Sequence, residues 1–292
     1  MNPLDLSKLT AVMEQSSGNP EVIIGLIDGP VLTEHPELAG KTLREISGNY
    51  SASCTQANNT ACLHGTFVAG VLSATRGSFA PAICPNCTLL IRPIFFDSTS
   101  SKLRQMPSAT PQELATAIID CIDAGARVIN MSLALAQPSI KQEQALAETL
   151  NYATKRGVIV VAAAGNQGTL GSSVITRHPW VIPVVAVDAN GRPVNGTNLG
   201  SSIGRQGLSA PGDKITSLGI EGQPFTSGGT SVAVPFVTGA IALLWSIFPT
   251  ANAAQIKHAL LLASTPRRAT VVPPLMNAMA AYRFLQTNNF KR

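Results

Sequence analysis

Hydrophobic positions in this chain fall in short unbroken runs separated by polar stretches rich in glycine. Glu21–Asp28, Thr88–Phe95, Arg127–Ser132, Val158–Asn166 and Val181–Val187 are each of strand length and apolar on both faces. A strand without polar alternation reads as one covered on both sides, as in parallel sheets flanked by helices. Helical patterns lie between them. His64–Gly70 opens a helix of small and apolar residues, Pro111–Ala124 has proline in its first turn and Gly125 beyond its end, and the amphipathic Ser139–Arg156 closes at Gly157. Pro93 places the second strand at an irregular or edge position. Leu38–Ala61 and Asp97–Pro107 read as loops with at most short strands. Later segments are shorter: Gly207–Gly212, a strand around Lys214–Leu218, and a helix at Ala253–Ala263 that ends before Pro266. Strands alternating with helices predict an α/β fold with a doubly wound, mostly parallel sheet flanked by helices on both faces. Without repeats or linker composition, residues 1–292 are expected to form one domain, with 1–19 as a short N-terminal extension.

The longest apolar stretch, Val232–Phe248, follows the turn Gly228-Gly229-Thr230-Ser231. It is short for a bilayer and carries Pro235, Thr238 and Gly239 near its start, so it reads as a buried helix, with no membrane partner. Ser231 at its beginning has two readings. A serine there can cap the helix, or it can be a nucleophile held where backbone N–H groups and the helix dipole favour negative charge.

Composition narrows the classes. Hydrophobic residues make up 45% of the 292 and charged residues 13%, which supports a sizeable core and excludes a disordered chain. The net charge of +5 comes from Lys and Arg scattered singly or in pairs such as Arg267-Arg268, so no nucleic-acid footprint is present. Asp5, Lys8 and Glu14 interrupt the N-terminal residues, and no continuous apolar secretory signal is visible. The expected location is cytoplasmic, or extracellular for a processed fragment. Five cysteines cannot all pair. Cys54 and Cys62 bracket a polar loop and could close a small disulfide in an oxidising compartment. Cys84-Pro85-Asn86-Cys87 could be a redox pair or half a zinc site, yet no second CxxC or His pair lies at ligand spacing. Both pairs read as loop tethers or free thiols rather than catalytic groups, and Cys121 as a small buried hydrophobe.

Candidate chemistry sits at the element junctions. Asp28 ends the first strand, His64 opens a helix, Asn166 ends the fourth strand and Ser231 follows the glycine turn. Acyl transfer requires a hydroxyl nucleophile, an imidazole to take and return its proton, a carboxylate to orient the imidazole, and donors for the oxyanion. All four are present, in the order Asp, His, Asn, Ser. The motifs Ile-Asp28-Gly, His64-Gly-Thr-x-Val-Ala-Gly, Ala-Ala-Gly-Asn166 and Gly-Thr-Ser231-x-Ala-x-Pro235 resemble those of the subtilisin-like serine proteases. The likeness runs from about residue 20 to Leu275-Met276-Asn277-Ala278. It implies the subtilisin-like fold and a serine endopeptidase acting on a peptide or protein substrate, with no cofactor. It also implies Ser231 as nucleophile, His64 as general acid/base, Asp28 as orienting carboxylate, and the Asn166 side chain beside the Ser231 N–H as oxyanion hole. His35, in His35-Pro36-Glu37-Leu38, matches a structural position of the family.

The same resemblance places substrate contacts at Ser132, Leu133, Ala134, Leu135, Ala163, Gly165, Arg177 and Gly229. Ser132-Leu133-Ala134-Leu135 stands where the family usually has Ser-Leu-Gly-Gly, so Ala134 and Leu135 narrow the first pocket. Arg177 falls at the base of the pocket for the residue before the cut, where a guanidinium pairs with an acidic side chain or points to solvent. The loop Thr75–Pro81 is shorter than the calcium loop of the secreted enzymes and lacks its oxygen-bearing residues, so neither that calcium site nor another metal is expected. With no long segment before residue 20 to act as the usual folding prodomain, the expectation is a chain that folds unaided inside the cell or a fragment whose prodomain was removed. Leu26-Ile27-Asp28-Gly29-Pro30-Val31 with His35-Pro36, and Leu90–Asp97, resemble the proteases of cyanobactin, or patellamide-type, peptide biosynthesis. Those cut precursor peptides, and their macrocyclase relatives use the acyl-enzyme for transpeptidation behind an added helical insertion. Between Leu72 and Leu89 there is no room for one, which favours hydrolysis. A non-catalytic peptide-binding module is the third reading, and the four intact residues count against it.

Overall fold

A computed structural model of the protein describes residues 2–46, 54, 60–95, 109–133, 140–220, 222–264 and 270–288. In chain order the elements are α1 (Pro3–Leu6), α2 (Thr10–Met13), β1 (Ile23–Asp28), β2 (Leu43–Glu45), α3 (Thr60–Ser73), β3 (Thr88–Pro93), α4 (Pro111–Asp123), β4 (Val128–Met131), α5 (Ile140–Arg156), β5 (Ile159–Ala163), α6 (Val174–Arg177) and β6 (Val181–Val187). There follow α7 (Ser201–Gln206), β7 (Leu208–Pro211), β8 (Ile215–Leu218), β9 (Pro224–Ser227), α8 (Thr230–Ile247), α9 (Ala253–Ala263) and α10 (Ala278–Thr287).

Seven strands form one parallel sheet in the order β2-β3-β1-β4-β5-β6-β7, and β8 pairs antiparallel with β9 in a separate hairpin. This is the doubly wound α/β architecture expected from the alternating pattern. Because both faces are apolar, the two-residue period of the strands is invisible in the sequence and appears only in packing. Ile24, Leu26, Leu89, Ile91, Val128, Ile159, Val161, Ile182 and Val184 face a layer that contains α3, α8, α9 and α10. Ile27, Leu90, Ile129, Met131, Val160, Ala162 and Val181 face α4 and α5.

The central helix α8 is buried along its length: every residue except Ser231 and Ser246 is enclosed. It is the one described helix long and apolar enough to cross a membrane, and 89% of it lies inside the protein. A helix apolar all round belongs in a core. Its C-terminal end is fixed by Trp245, whose Nε1–H donates to the Ala251 carbonyl at 2.8 Å and whose ring lies under the Arg127 guanidinium at 4.4 Å.

Several boundaries differ from the sequence expectation. His64 does not open its helix, because α3 begins at Thr60, inside the stretch read as polar loop. A Cys54–Cys62 disulfide with Cα atoms 5.7 Å apart fastens this first turn. β3 is not an edge strand, since β2 lies outside it. Pro93 is its last residue, and the ladder continues through Ile94 N–H to the Asp28 carbonyl at 2.8 Å. The fourth strand stops at Ala163 rather than Asn166 because Gly165, at φ +105°, turns the chain away. Asp97–Pro107 and, apart from Cys54, residues 47–59 lie outside the described residues.

Residues 2–19 are integral to the packing. Leu9 and Val12 are fully buried in the core that holds α8. Arg76, just beyond α3, holds the segment with its main-chain contacts: Nη1 donates to Met13 O (2.6 Å) and Ser17 Oγ (2.9 Å), Nη2 to Ser16 O (2.7 Å) and Ile83 O (2.9 Å). No carboxylate pairs with it among the described residues, and burial lowers its pKa from the usual arginine value. Cys84 and Cys87, across an i to i+3 turn, remain free thiols beneath this segment, and Cys121 is buried with its thiol pushed up to about 12 by burial. Replacing Arg76 by alanine leaves five main-chain or hydroxyl acceptors, Ala82 O included, without their charged donor. We expect a loss of about 2–4 kcal/mol in urea unfolding, with early proteolytic cleavage in residues 13–19.

Candidate active site

Sheet order brings the site together. β1, β4 and β5 are neighbours with Ile27 opposite Met131 and Met131 opposite Ala162, so the residues that follow these strands emerge side by side at the carboxyl edge. That edge is where open α/β sheets carry their sites. Strand parity then assigns the face. Asp28 continues the series Ile24, Leu26 and therefore points to the layer of α3 and α8. Asn130 and Ser132 continue the series from Val128 and point there too.

Asp28 is fully buried and accepts two hydrogen bonds at Oδ1, from the Gly29 N–H at 2.6 Å and from His64 Nδ1 at 2.7 Å. His64 reaches it because the first turns of α3 lie directly on the Gly29–Pro30 main chain. A Cβ on Gly65 would run into the Gly29 and Pro30 carbonyl oxygens, and one on Gly29 into the Ala61 carbonyl. The glycines next to Asp28 and His64 are thus requirements of approach. The His64 side chain is 19% exposed, and its Nε2 is buried without a hydrogen-bond partner among the described residues. Burial alone lowers the imidazole pKa, but the adjoining Asp28 charge and hydrogen bond outweigh it, and the pKa is raised above 6.5.

Ser231 is the second residue of α8, and its hydroxyl makes no hydrogen bond to the described residues. The N-cap is Gly229, at φ +121°, with no side-chain cap bond. The capping reading of Ser231 therefore fails, and the hydroxyl is left for chemistry. Side chains from neighbouring elements replace the missing cap. Asn166 Oδ1 accepts from Thr230 N at 2.9 Å and from Thr230 Oγ1 at 3.1 Å, while Thr230 Oγ1 accepts from Gly165 N at 3.2 Å. Since a backbone N–H can only donate, Oδ1 is the atom facing Thr230. The Asn166 Nδ2 group is left uncommitted, as is the Ser231 N–H. Any side chain at Gly229 would crowd that amide, with Cβ 3.2 Å from Nδ2. Asn198 steadies the loop by accepting from Gln167 N and Thr169 N, both at 3.0 Å.

Some of the expected substrate-contact positions lie at this edge. Ser132, Leu133 and Ala163 are buried beside it, and Ala134 and Leu135 lie outside the described residues. Ser132 does not present its hydroxyl to the cleft, because Oγ donates to the Ser231 carbonyl at 2.8 Å. Arg177 is exposed at the end of α6, with Nη1 3.4 Å from the Ser172 carbonyl. His35 caps the turn Pro36–Leu38 through Nδ1, and His178 is held by Asn151, so neither competes for the role of His64. Thr230, Asn130 and Thr238 carried no role in the sequence reading. The last two are apolar-run residues whose significance appears only once strand parity is known. A cleft of 540 Å³ lined by Asn2–Leu4, Arg76–Pro81 and Lys214–Thr216 contains none of the site residues.

Comparison with known proteins supplies the wider context. The model of the subtilase family matches residues 19–280. Subtilisin DY of Bacillus licheniformis is 30% identical over 262 residues, 88% of each chain. A thermophilic serine proteinase of Bacillus sp. (strain AK1) is 34% identical over 241 residues, 80% of this chain but 54% of its own longer length. Among solved structures, the prenylagaramide maturation protease PagA superposes with a TM-score of 0.81 at 27% identity, covering 95% of this chain and 98% of PagA. A mutant protease domain of PatA gives 0.82 at 28%, covering 94% and 98%.

The electrostatics of Asp28 and His64 give a direct test. A folded-state pKa raised above 6.5 means that the protonated pair adds stability in full below about pH 6.5. That contribution is lost as pH rises through the folded value. NMR titration of the His64 ring is expected to show a midpoint above 6.5. In Asp28→Asn only burial acts, and the midpoint falls below 6.5. An unshifted midpoint in that variant would refute the assignment of the shift to Asp28.

Proposed function

The chain belongs to the subtilase family of serine peptidases, and on that premise we propose that it cleaves peptide bonds through an acyl-enzyme on Ser231. Ser231 Oγ attacks the scissile carbonyl carbon while His64 Nε2 takes its proton. Asp28 holds Nδ1 and stabilises the imidazolium. The oxyanion forms against the Asn166 Nδ2 and Ser231 N–H donors, and His64 passes its proton to the leaving amine. Water then repeats the sequence on the ester and frees Ser231. The observation that carries this reading is the combination of a closed Asp28–His64 pair at 2.7 Å, an open Nε2, and two open donors at the start of α8. His64 Nε2 and Ser231 Oγ are not hydrogen-bonded here, as is common in ligand-free sites that tighten on substrate binding.

The substrate in our reading is a precursor peptide, cut at a restricted set of sites. PagA and PatA, alike in fold over nearly their whole length, are maturation proteases. The connection from α3 to β3 consists of turns without an inserted helix, which favours water over an amine as the acyl acceptor. Arg177 sets a preference for an acidic side chain before the cut. Its guanidinium is exposed and only weakly engaged by Ser172, so it is available for a carboxylate. The protein acts without cofactor, and its partner is the peptide itself.

Two measurements test this. With a diverse peptide mixture and product mass spectrometry, Ser231→Ala is expected to abolish cleavage. Asn166→Ala should lose about 10²–10³ in kcat, the loss seen in subtilisin for the same type of donor. Unchanged cleavage in Ser231→Ala rejects the mechanism, and cyclic products would replace hydrolysis by transpeptidation. Separately, Arg177→Ala should reduce the preference for Glu over Leu before the cut by up to about 5-fold, the scale of one exposed ion pair. A wild-type enzyme with no acidic preference removes Arg177 from specificity.

A further inference from the structure

The carbonyl of Ser231 has lost its regular partner within the helix. In an α-helix it would accept from the N–H four residues on, and that residue is Pro235, which has none. The ring in the second turn of α8 therefore frees a backbone acceptor beside the nucleophile, in a helix enclosed at every residue but Ser231 and Ser246. A buried carbonyl needs a donor.

The donor comes from the sheet. Ser132 Oγ lies 2.8 Å from Ser231 O. It is the last link of a relay in which Thr238 Oγ1 donates to Asn130 Oδ1 at 3.0 Å and Asn130 Nδ2 donates to Ser132 Oγ at 2.8 Å. Thr238 and Asn130 are fully buried, and Ser132 is 4% exposed. The direction is fixed at every step, since the Ser231 carbonyl can only accept, which commits the Ser132 proton, and Ser132 must then accept from the amide. A chain of aligned bonds in a dry interior strengthens each member. It begins and ends on α8, at Thr238 and Ser231, and passes through β4.

We propose that Ser132 is a positioning residue for the nucleophile: it replaces the helix bond that Pro235 removes and so references the Ser231 main chain to the end of β4. The inference rests on the reading of Ser231 as nucleophile. Its mechanical content is that the peptide following Ser231 is oriented by a lateral bond from the sheet rather than by an axial bond from its own helix. The same strand end leads into Leu133 and the segment expected to carry substrate, so the nucleophile and the substrate share one reference. Asn130 and Thr238 act through Ser132 and touch no reacting atom.

Pro235 makes the idea testable by a double-mutant cycle. In Pro235→Ala the new N–H can donate to Ser231 O, and the Ser132 hydroxyl becomes redundant. Ser132→Ala is expected to lower kcat on the order of 10-fold in the native background, with KM within about 2-fold, and to lower it by less than about 2-fold in the Pro235→Ala background. An equal loss in both backgrounds overturns the proposal, because the hydroxyl would then not act through that carbonyl. A rise in KM at constant kcat also overturns it, assigning Ser132 to substrate contact. Urea unfolding of the same four proteins provides a readout independent of activity. Coupling in stability without coupling in kcat makes the bond merely structural and overturns the positioning role; coupling in both supports it. Fluorophosphonate labelling that fails in the native protein, or persists in Ser231→Ala, instead rejects Ser231 as nucleophile, and the stability cycle still reports whether the Ser132–Pro235 exchange exists.

Discussion

The beginning of a largely buried helix is the constraint from which the site follows. α8 is enclosed at every residue but Ser231 and Ser246, so protein groups rather than bulk water serve the buried Thr230 N–H and the carbonyl that Pro235 orphans. These groups come from the strand ends that surround the helix. Asn166 takes the Thr230 N–H, and Ser132 takes the Ser231 carbonyl. What remains unsatisfied is the Ser231 N–H together with the second half of the Asn166 amide. Satisfying the helix start with one oxygen of an amide leaves its nitrogen as a fixed donor beside the open N–H. The oxyanion site proposed for this chain would thus arise from incomplete capping of a largely buried helix, without dedicated scaffolding.

The carboxylate and imidazole obey a related logic on the neighbouring strand. Asp28 is buried because it lies in series with Ile24 and Leu26, and a charge in that position requires donors. Gly29 N–H and His64 Nδ1 supply them at one oxygen. The buried charge raises the pKa of His64 against the opposing effect of burial. Without the glycines that let α3 rest on the β1 turn, the imidazole would stand off and Asp28 would be an uncompensated interior charge. Here the stability of the folded chain and the function of the imidazole depend on one contact.

Much of this was legible before any coordinates. The extent of β6, the helix at Ala253–Ala263 and the parallel sheet follow from continuous apolar runs, and the meeting of Asp28 with His64 from motifs in fixed order. What escaped has physical causes. Strands apolar on both faces conceal their parity, so the assignment of Asp28, Asn130 and Ser132 to one layer could not be read. α1, α2 and α6 are four residues each, too short for a 3.6-residue period to register. α3 begins in a polar stretch tied by the Cys54–Cys62 disulfide, a tertiary constraint that local pattern does not report. Pro93 suggested an edge because the rule concerns a missing donor, and at the last position of β3 the ladder had no use for one.

The division between chemistry and selectivity follows the same geography. Asp28, Asn130, Ser132, Asn166 and Ser231 are placed by the sheet and by a buried helix, elements whose positions are over-determined by packing. Their roles can be written as short motifs because each depends on local residue type plus an element end. Arg177, the residue proposed to set selectivity, closes a four-residue helix on the surface. Such positions can change residue without disturbing the relay or the Asp28–His64 pair, so a family of this fold keeps its reaction while its substrates diverge. The link between the two regions is the end of β4, where Ser132 donates to the Ser231 carbonyl and Leu133 leads away from it. A change in the pocket that shifted this strand end by a fraction of an ångström would reach Ser231 through one hydrogen bond, which limits how far selectivity can drift without affecting the rate.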